Sequence, residues 1–182
     1  MTERIDLRSE IHDILIRLAD ETKEIVQLSI LQKNKVQILD VIKRHKSLIN
    51  VANIGELLDI NICAAGLVLA AYLEDEKIDD LLKNTDIHKH TEFTVTNPLQ
   101  FKSLLQKVKE NGYSLDDQYY AIGHRCIGVP VFDYTGKVIA AINISGHIKT
   151  LKDGRIEELA SCVKKYALEA SKRMGYTVSE ES

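Results

Sequence analysis

The spacing of apolar positions changes repeatedly along the chain, and each change marks a new element. Leu7, Ile11, Ile14, Leu15 and Leu18 recur at helical spacing, with Glu10, Asp13, Arg17 and Asp20 on the remaining face. This predicts an amphipathic helix over the first twenty-odd residues. The period then shortens. Ile25–Leu31 and Val36–Ile42 are β-branched runs around Gln32-Lys33-Asn34-Lys35, the pattern of a hairpin. Ser47–Val51 reads as a further short strand. Ile60–Leu73 is apolar on most sides, as expected of a buried helix, with Asn61 as its cap. Glu74–Lys83 reads as a charged surface helix, and Asp86–Thr96 as irregular. Asn97-Pro98-Leu99-Gln100 carries a cap, an N-terminal proline and a capping-box glutamine. Phe101, Leu104, Leu105 and Val108 follow at core spacing, and Asn111-Gly112 ends that helix.

A second hairpin is predicted from Cys126–Phe132 and Val138–Ser145, around the turn Asp133-Tyr134-Thr135-Gly136. Its apolar positions are Ile127, Val129 and Val131 in one run and Val138, Ala140, Ile142 and Ile144 in the other. They share a face only if odd residues pair with even ones. Closing Phe132 onto Lys137 sets Ile127 opposite Ile142 and Val129 opposite Ala140. On the other face Cys126 then meets Asn143, His124 meets Ser145 and Gly128 meets Ala141. That face is small and polar, as a pocket wall above a sheet would be, and a solvent-facing surface is the alternative. A bulge is expected near Gly123 or Gly128. A last helix runs from Asp153 to Met174 through Ile156, Leu159, Ala160, Val163, Ala167 and Ala170, and Thr177–Ser182 forms a tail. The order helix, hairpin, helices, hairpin, helix implies an α+β fold, an antiparallel sheet flanked by helices.

Composition narrows the function. The chain has 182 residues, enough for one domain with a sizeable core, and 24 Lys and Arg against 27 Asp and Glu. A chain that grips nucleic acid by itself shows a basic excess, which is missing here. The 3 cysteines, an odd count, fit a reducing cytosol better than a disulfide framework. No apolar run is long enough to span a bilayer.

The segments GYSLDD, IGHRCIGVPVFDYTG and AAINISG resemble the signature of the IclR (isocitrate lyase regulator) family of transcription regulators, in the C-terminal effector-binding domain. Residue type and spacing agree from Gly112 and Asp116 through Gly123, Arg125-Cys126, Pro130, Asp133 and Gly136 to Ser145-Gly146. The resemblance covers about residues 7–175 and is weakest over Arg44–Asp59 and Lys83–Val95. It implies a GAF-like fold over residues 1–176. It also implies ligand contacts at Ala64, Ala65, Asp116, His124, Cys126, Asn143 and Ser145. Backbone N–H groups at the start of the Ala64 helix, Ser145 and Asn143 would hold a carboxylate, while Asp116 would accept from a ligand hydroxyl. Asp116 as a turn residue bonding its own backbone is the competing reading. Asn143 stands where many relatives have Ser, His124 where an apolar residue is common, and His147 where Pro often follows the glycine. These departures imply a more polar pocket and a small organic acid effector, with hydroxy-, keto- or sugar acids preferred over aromatic ones. The winged helix-turn-helix that family members carry is expected to be absent from this chain, so DNA would be reached only through such a separate N-terminal segment. Family members also self-associate as dimers and tetramers.

Two rival classes remain. A redox enzyme would use Cys126 beside His124, with Cys63 approaching across the pocket. A buried cysteine acting as a small hydrophobe is the preferred reading, because reactive thiols need an electropositive, accessible setting. No catalytic residue, cofactor or metal is therefore expected. A metal held by Cys63, Cys126 and His124 is less favoured, and His88-Lys89-His90 lacks further ligands. The other rival is a passive oligomerisation module, for which no heptad seam is visible.

Overall fold

The computed structural model describes residues 2–179, with side chains from Leu7 onward. Helix α1 (Thr2–Thr22) leads into the hairpin β1 (Ile25–Gln32) and β2 (Lys35–Ile42), and then the short strand β3 (Leu57–Asp59). Helices α2 (Ala64–Ala71), α3 (Asp75–Asn84) and α4 (Pro98–Asn111) follow. Strands β4 (Ser114–Asp117), β5 (His124–Phe132) and β6 (Val138–His147) precede α5 (Ile156–Arg173). The six strands form one antiparallel sheet in the order β3-β2-β1-β6-β5-β4.

The two faces of this sheet have different cores. On one, Val26, Leu28, Ile30, Ile127, Val129, Ile142 and Ile144 pack with Ile11, Ile14, Leu15 and Leu18 of α1 and Leu159, Val163 and Ala167 of α5. On the other, Val36 and Ala141 pack with α2 and with Phe101, Leu105 and Val108 of α4. The α+β architecture expected from the pattern is the one observed. The caps of α4 are also as read: Asn97 Oδ1 accepts from Leu99 N at 2.9 Å and Gln100 N at 3.1 Å, and Gly112 closes the helix with φ 72°.

Four local expectations are corrected. Ser47–Val51 forms no strand; the sheet edge is β3 instead, paired to β2 through Val36 and Leu58. Helix α2 begins at Ala64, and its cap is Cys63, whose Sγ accepts from Gly66 N at 3.4 Å. Asn61 is buried and donates instead to the carbonyls of His88 and Val95 at 3.2 and 3.1 Å, tying the irregular segment to the helix entrance. The hairpin register is displaced by two residues. Asp133 N donates to Lys137 O, so Lys137 belongs to the turn; Phe132 faces Val138, and the bulge falls between Val131 and Phe132 rather than near Gly123 or Gly128. Ile127 thus pairs with Ile144, Val129 with Ile142, Gly128 with Asn143, Cys126 with Ser145 and His124 with His147. A displacement of two preserves facing, so the separation into apolar and polar faces stands. Strand β4, unread in the sequence, places Asp116 opposite Cys126. In the expected tail, residues 177–179 carry no element, and 180–182 lie outside the described residues.

Gly128 lets α2 settle onto the sheet. A Cβ there would lie 2.8 Å from Ser114 Oγ and 3.0 Å from the Ala64 carbonyl oxygen. Backbone at that distance cannot swing aside, so Gly128→Ala is expected to destabilise the fold by about 1–3 kcal/mol. Gly154→Ala, where a Cβ meets nothing within 4 Å, should stay within about 0.5 kcal/mol. Urea denaturation midpoints check both.

Candidate functional site

The tip of α2 lies over two polar rungs of the sheet. One runs Ser114, Gly128, Asn143 and Gln27 across β4, β5, β6 and β1; the other runs Asp116, Cys126 and Ser145. Ser114 Oγ donates to the Ala64 carbonyl at 2.7 Å, fastening the helix tip to β4. The first-turn amides of Ala64 and Ala65 have no intrahelical acceptor, as at any helix start. Beside this helix start is a small hollow lined by Ala65, Cys63, His124, Cys126 and Asn143, with Gln27, Ser29, Ile38, Val51, Ala52 and Tyr120 among its other walls.

The side chains of these rungs form a connected ladder. Asn143 Nδ2 donates to Gln27 Oε1 at 3.2 Å and to Ser145 Oγ at 3.0 Å. Ser145 Oγ is 2.9 Å from Cys126 Sγ, and Cys126 Sγ is 3.7 Å from His124 Nδ1. His124 Nδ1 is 3.8 Å from Asp116 Oδ2. Gln27 Nε2 donates to the Ala52 carbonyl at 3.0 Å, closing the far end. Tyr120 leans on the His124 ring with centroids 5.3 Å apart. The loop carrying it is pinned by Thr91 Oγ1 on the Gln118 carbonyl and Thr94 Oγ1 on the Tyr119 carbonyl.

Of the residues singled out in the sequence, Ala65, His124, Cys126 and Asn143 line the hollow. Asp116 and Ser145 stand in the layer behind, both fully buried, and Ala64 presents its carbonyl to Ser114. Asp116 Oδ1 accepts from Tyr119 N at 2.8 Å, so its turn role is real, while its Oδ2 has no hydrogen-bond partner. Ser29 Oγ, on the hollow's wall, is buried without a partner as well. Sequence reading missed Gln27, Ser29 and Tyr120. The signal for the first two was present: they are the polar positions, two apart, of the otherwise apolar run IVQLSIL.

The hollow offers about 20 Å³ to the centre of a water-sized sphere, room for roughly one water. Burial pushes the Asp116 carboxyl up to about 8 and brings His124 down to about 4. Burial also raises the Cys126 thiol well above its ordinary value and Cys63 to about 12. Neither cysteine is a thiolate nucleophile in this setting, contrary to what the redox reading requires. Asp116, His124 and Cys126 are nonetheless donor types that bind metals, and their ligand atoms lie within 4.8 Å of one another. Cys63 is not in that group; its sulfur is engaged with Gly66 N and the Asp59 carbonyl.

Comparison with known proteins decides the family. Residues 1–172 match the model of the bacterial transcriptional regulator IclR C-terminal domain. The chain belongs to the IclR family. Among curated relatives, the acetate operon repressor of Salmonella typhimurium is 31% identical over 174 residues, covering 94% of this chain and 64% of its own length. The chain therefore spans a little under two thirds of that relative. The crystal structure of the Thermotoga maritima IclR superposes with TM-score 0.90 at 30% identity, over 94% of this chain and 69% of that one. An IclR homolog from Microbacterium hydrocarbonoxydans, solved in complex with 4-hydroxybenzoate, shares the fold with TM-score 0.86 at 23% identity, over 94% of this chain and 69% of that one. IclR-family members are transcriptional regulators rather than enzymes. No helix among the described residues is long and apolar enough to cross a membrane.

The buried acid and imidazole have opposite linkage. The unfolded chain releases the Asp116 proton near 3.8 and the folded chain holds it to about 8, so this group lowers stability as pH rises through that range. The unfolded chain protonates His124 near 6.5 and the folded chain resists to about 4, so stability rises with pH across that interval. The two offset each other below about 6.5, leaving a decline between about 6.5 and about 8 worth about 1–2 kcal/mol. With a chelator present to keep stray metal off these donors, urea denaturation should show that decline. Asp116→Asn, which keeps the acceptor for Tyr119, should flatten it.

Proposed function

We propose that residues 1–176 form the effector-binding unit of an IclR-type regulator and that the hollow under α2 receives a small organic acid. The observation that carries this is Ser29 Oγ, a buried, unpartnered oxygen on the wall of the hollow, with the equally unpartnered Asp116 Oδ2 in the layer behind it. Buried polar atoms are rarely left unpaired, and one such atom on a cavity wall with another directly behind it calls for a guest with hydrogen-bonding groups. The Ala64 and Ala65 amides would supply donors for a carboxylate, joined by the Asn143 amide once it turns from Gln27 or Ser145, with Ser145 positioning Asn143 from the layer behind. Asp116, raised to about 8 by burial, is mostly neutral at pH 7, so it donates to or accepts from the acid without repelling it. His124 and Cys126 complete the wall.

The polar side chains of the wall, Gln27, Ser29, His124 and Asn143, favour an aliphatic hydroxy-, keto- or sugar acid over a benzoate, and the small volume means that even a short acid requires Tyr120 or the Val51–Ala52 wall to move. In a full-length regulator, DNA would be engaged by a separate helix-turn-helix segment. The acid would act through its differential affinity for alternative subunit arrangements of a homo-oligomer.

Thermal-shift measurements with lactate, pyruvate and gluconate against 4-hydroxybenzoate test the reading. Stabilisation by the aliphatic acids is expected, and stabilisation by aromatic or apolar compounds alone overturns the ligand class. Ser145→Ala and Asn143→Ala should each weaken binding of the stabilising acid by about 1–3 kcal/mol in calorimetry. Unchanged affinity in both variants removes the carboxylate-holding role.

A further inference from the structure

We infer that the hollow has a gate: residues 119–122, the tip of the loop between β4 and β5, swing outward on a fixed base and are held shut from outside by the irregular strap of residues 88–94. The closed hollow takes roughly one water, so anything larger enters only when a wall moves. One side is the hydrogen-bonded sheet and another is the start of α2, fastened by Ser114. Of the lining segments outside helices and strands, Ile62-Cys63 is buried and leads directly into α2. Ala52 is buried too, and its carbonyl is tied to Gln27 of the hollow's own network. Tyr120 is only half-buried, and exposed Ala121 and Ile122 follow it.

The loop is built to pivot. Its base is stitched by Gln118 N on the His124 carbonyl at 2.9 Å and by Gly123 N on Gln118 Oε1 at 3.1 Å. Both ends of the tip are left-handed, Gln118 at φ 67° and Gly123 at φ 84°. Such a conformation is costly at a residue with a side chain and persists where its surroundings impose it. The strap imposes it here. Thr91 Oγ1 donates to the Gln118 carbonyl at 2.6 Å and Thr94 Oγ1 to the Tyr119 carbonyl at 2.8 Å. The Tyr120 ring meets His124 on the hollow side, with centroids 5.3 Å apart, and His90 of the strap at 6.3 Å. The strap is anchored in turn. Buried Asn61 holds the His88 and Val95 carbonyls. Asp59 Oδ2 stands 3.4 Å from His88 Nδ1 and 3.7 Å from His90 Nε2, while Lys35 pairs with the other Asp59 oxygen. Two hydroxyls and a ring contact therefore clip the tip to the strap, and contacts of that strength open locally without global unfolding.

Opening changes the hollow's chemistry as well as its access. Tyr119 N donates to Asp116 Oδ1 at 2.8 Å, so outward movement of the tip frees that oxygen while it uncovers His124. That the gate admits an organic acid rests on the effector reading; that it controls access to the hollow does not.

Cys126, buried on the hollow's wall, reports opening in the whole chain. Its modification by the small thiol reagent methyl methanethiosulfonate is followed by mass spectrometry, with half-exposed Cys162 as the internal reference for reagent activity. His90→Ala and Thr94→Val should each accelerate labelling of Cys126 about three- to tenfold, the worth of one net hydrogen bond, and leave Cys162 unchanged. Unchanged Cys126 rates in both variants, or a rise matched by the fall in their stability to urea, overturn the gate. Acceleration in Val51→Gly with none in the strap variants places entry at the other wall and overturns it as well. Lactate, pyruvate and gluconate are then added to the unaltered chain. Protection of Cys126 by any of them, together with strap-dependent labelling, supports both readings. Strap-dependent labelling that none of the acids slows supports the gate and overturns the effector reading. Protection with labelling indifferent to the strap overturns the gate and leaves the effector reading standing.

Discussion

The structure depends on how closely a helix tip approaches a strand. At Gly128 the backbone of β5 is bare, and Ser114 Oγ reaches across from β4 to the Ala64 carbonyl. A side chain at position 128 would press on the Ala64 carbonyl and lift α2 off the sheet. The constraint is steric before it is chemical. It also explains why α2 is slim: Ala64, Ala65, Ala70 and Ala71 are all buried, and Gly66 passes so near the Ile60 backbone that a Cβ would collide with it.

The second constraint is the dryness of the polar face. Gln27, Asn143, Ser145, Cys126, His124 and Asp116 are all buried, and most of their hydrogen-bonding groups are satisfied by one another. Such a network rigidifies when complete and is costly where a partner is missing. Here the missing partners are those of Ser29 Oγ, on the hollow's wall, and Asp116 Oδ2, in the layer behind it. The same burial that silences the two cysteines as nucleophiles keeps the Asp116 carboxyl neutral near pH 7. Reactivity and recognition are therefore separated by one physical cause: a group withheld from water resists ionisation but remains able to hydrogen bond or to coordinate.

Much of this was legible from residue order. The amphipathic helices at either end, both hairpins and the α4 caps each follow from a local periodicity or a capping signal, and each is present. The polar face of the second hairpin was also visible, because alternation is set by the strand itself. What escaped was long-range. Strand β4 is only Ser114–Asp117, too short to show a period, and exists because β5 offers it an edge. Cys63 caps α2 in place of the more usual Asn61, since Asn61 is drawn into bonds with the His88 and Val95 carbonyls far along the chain. Gln27 was readable as an odd residue in an apolar strand, but its meeting with Asn143 needed the β1–β6 pairing.

The turn between β5 and β6 has a consequence beyond its own geometry. Because Lys137 sits in the turn and a bulge follows, every cross-strand pair beyond the bulge is displaced by two from the simplest closure. Such a slide leaves the greasy layer greasy, yet it exchanges which polar side chain meets which. The loop from Asp133 to Lys137 thus works as a vernier: its length sets which side chains of β5 and β6 stand opposite one another on the pocket's wall, while alternation keeps the apolar ones turned toward α1 and α5.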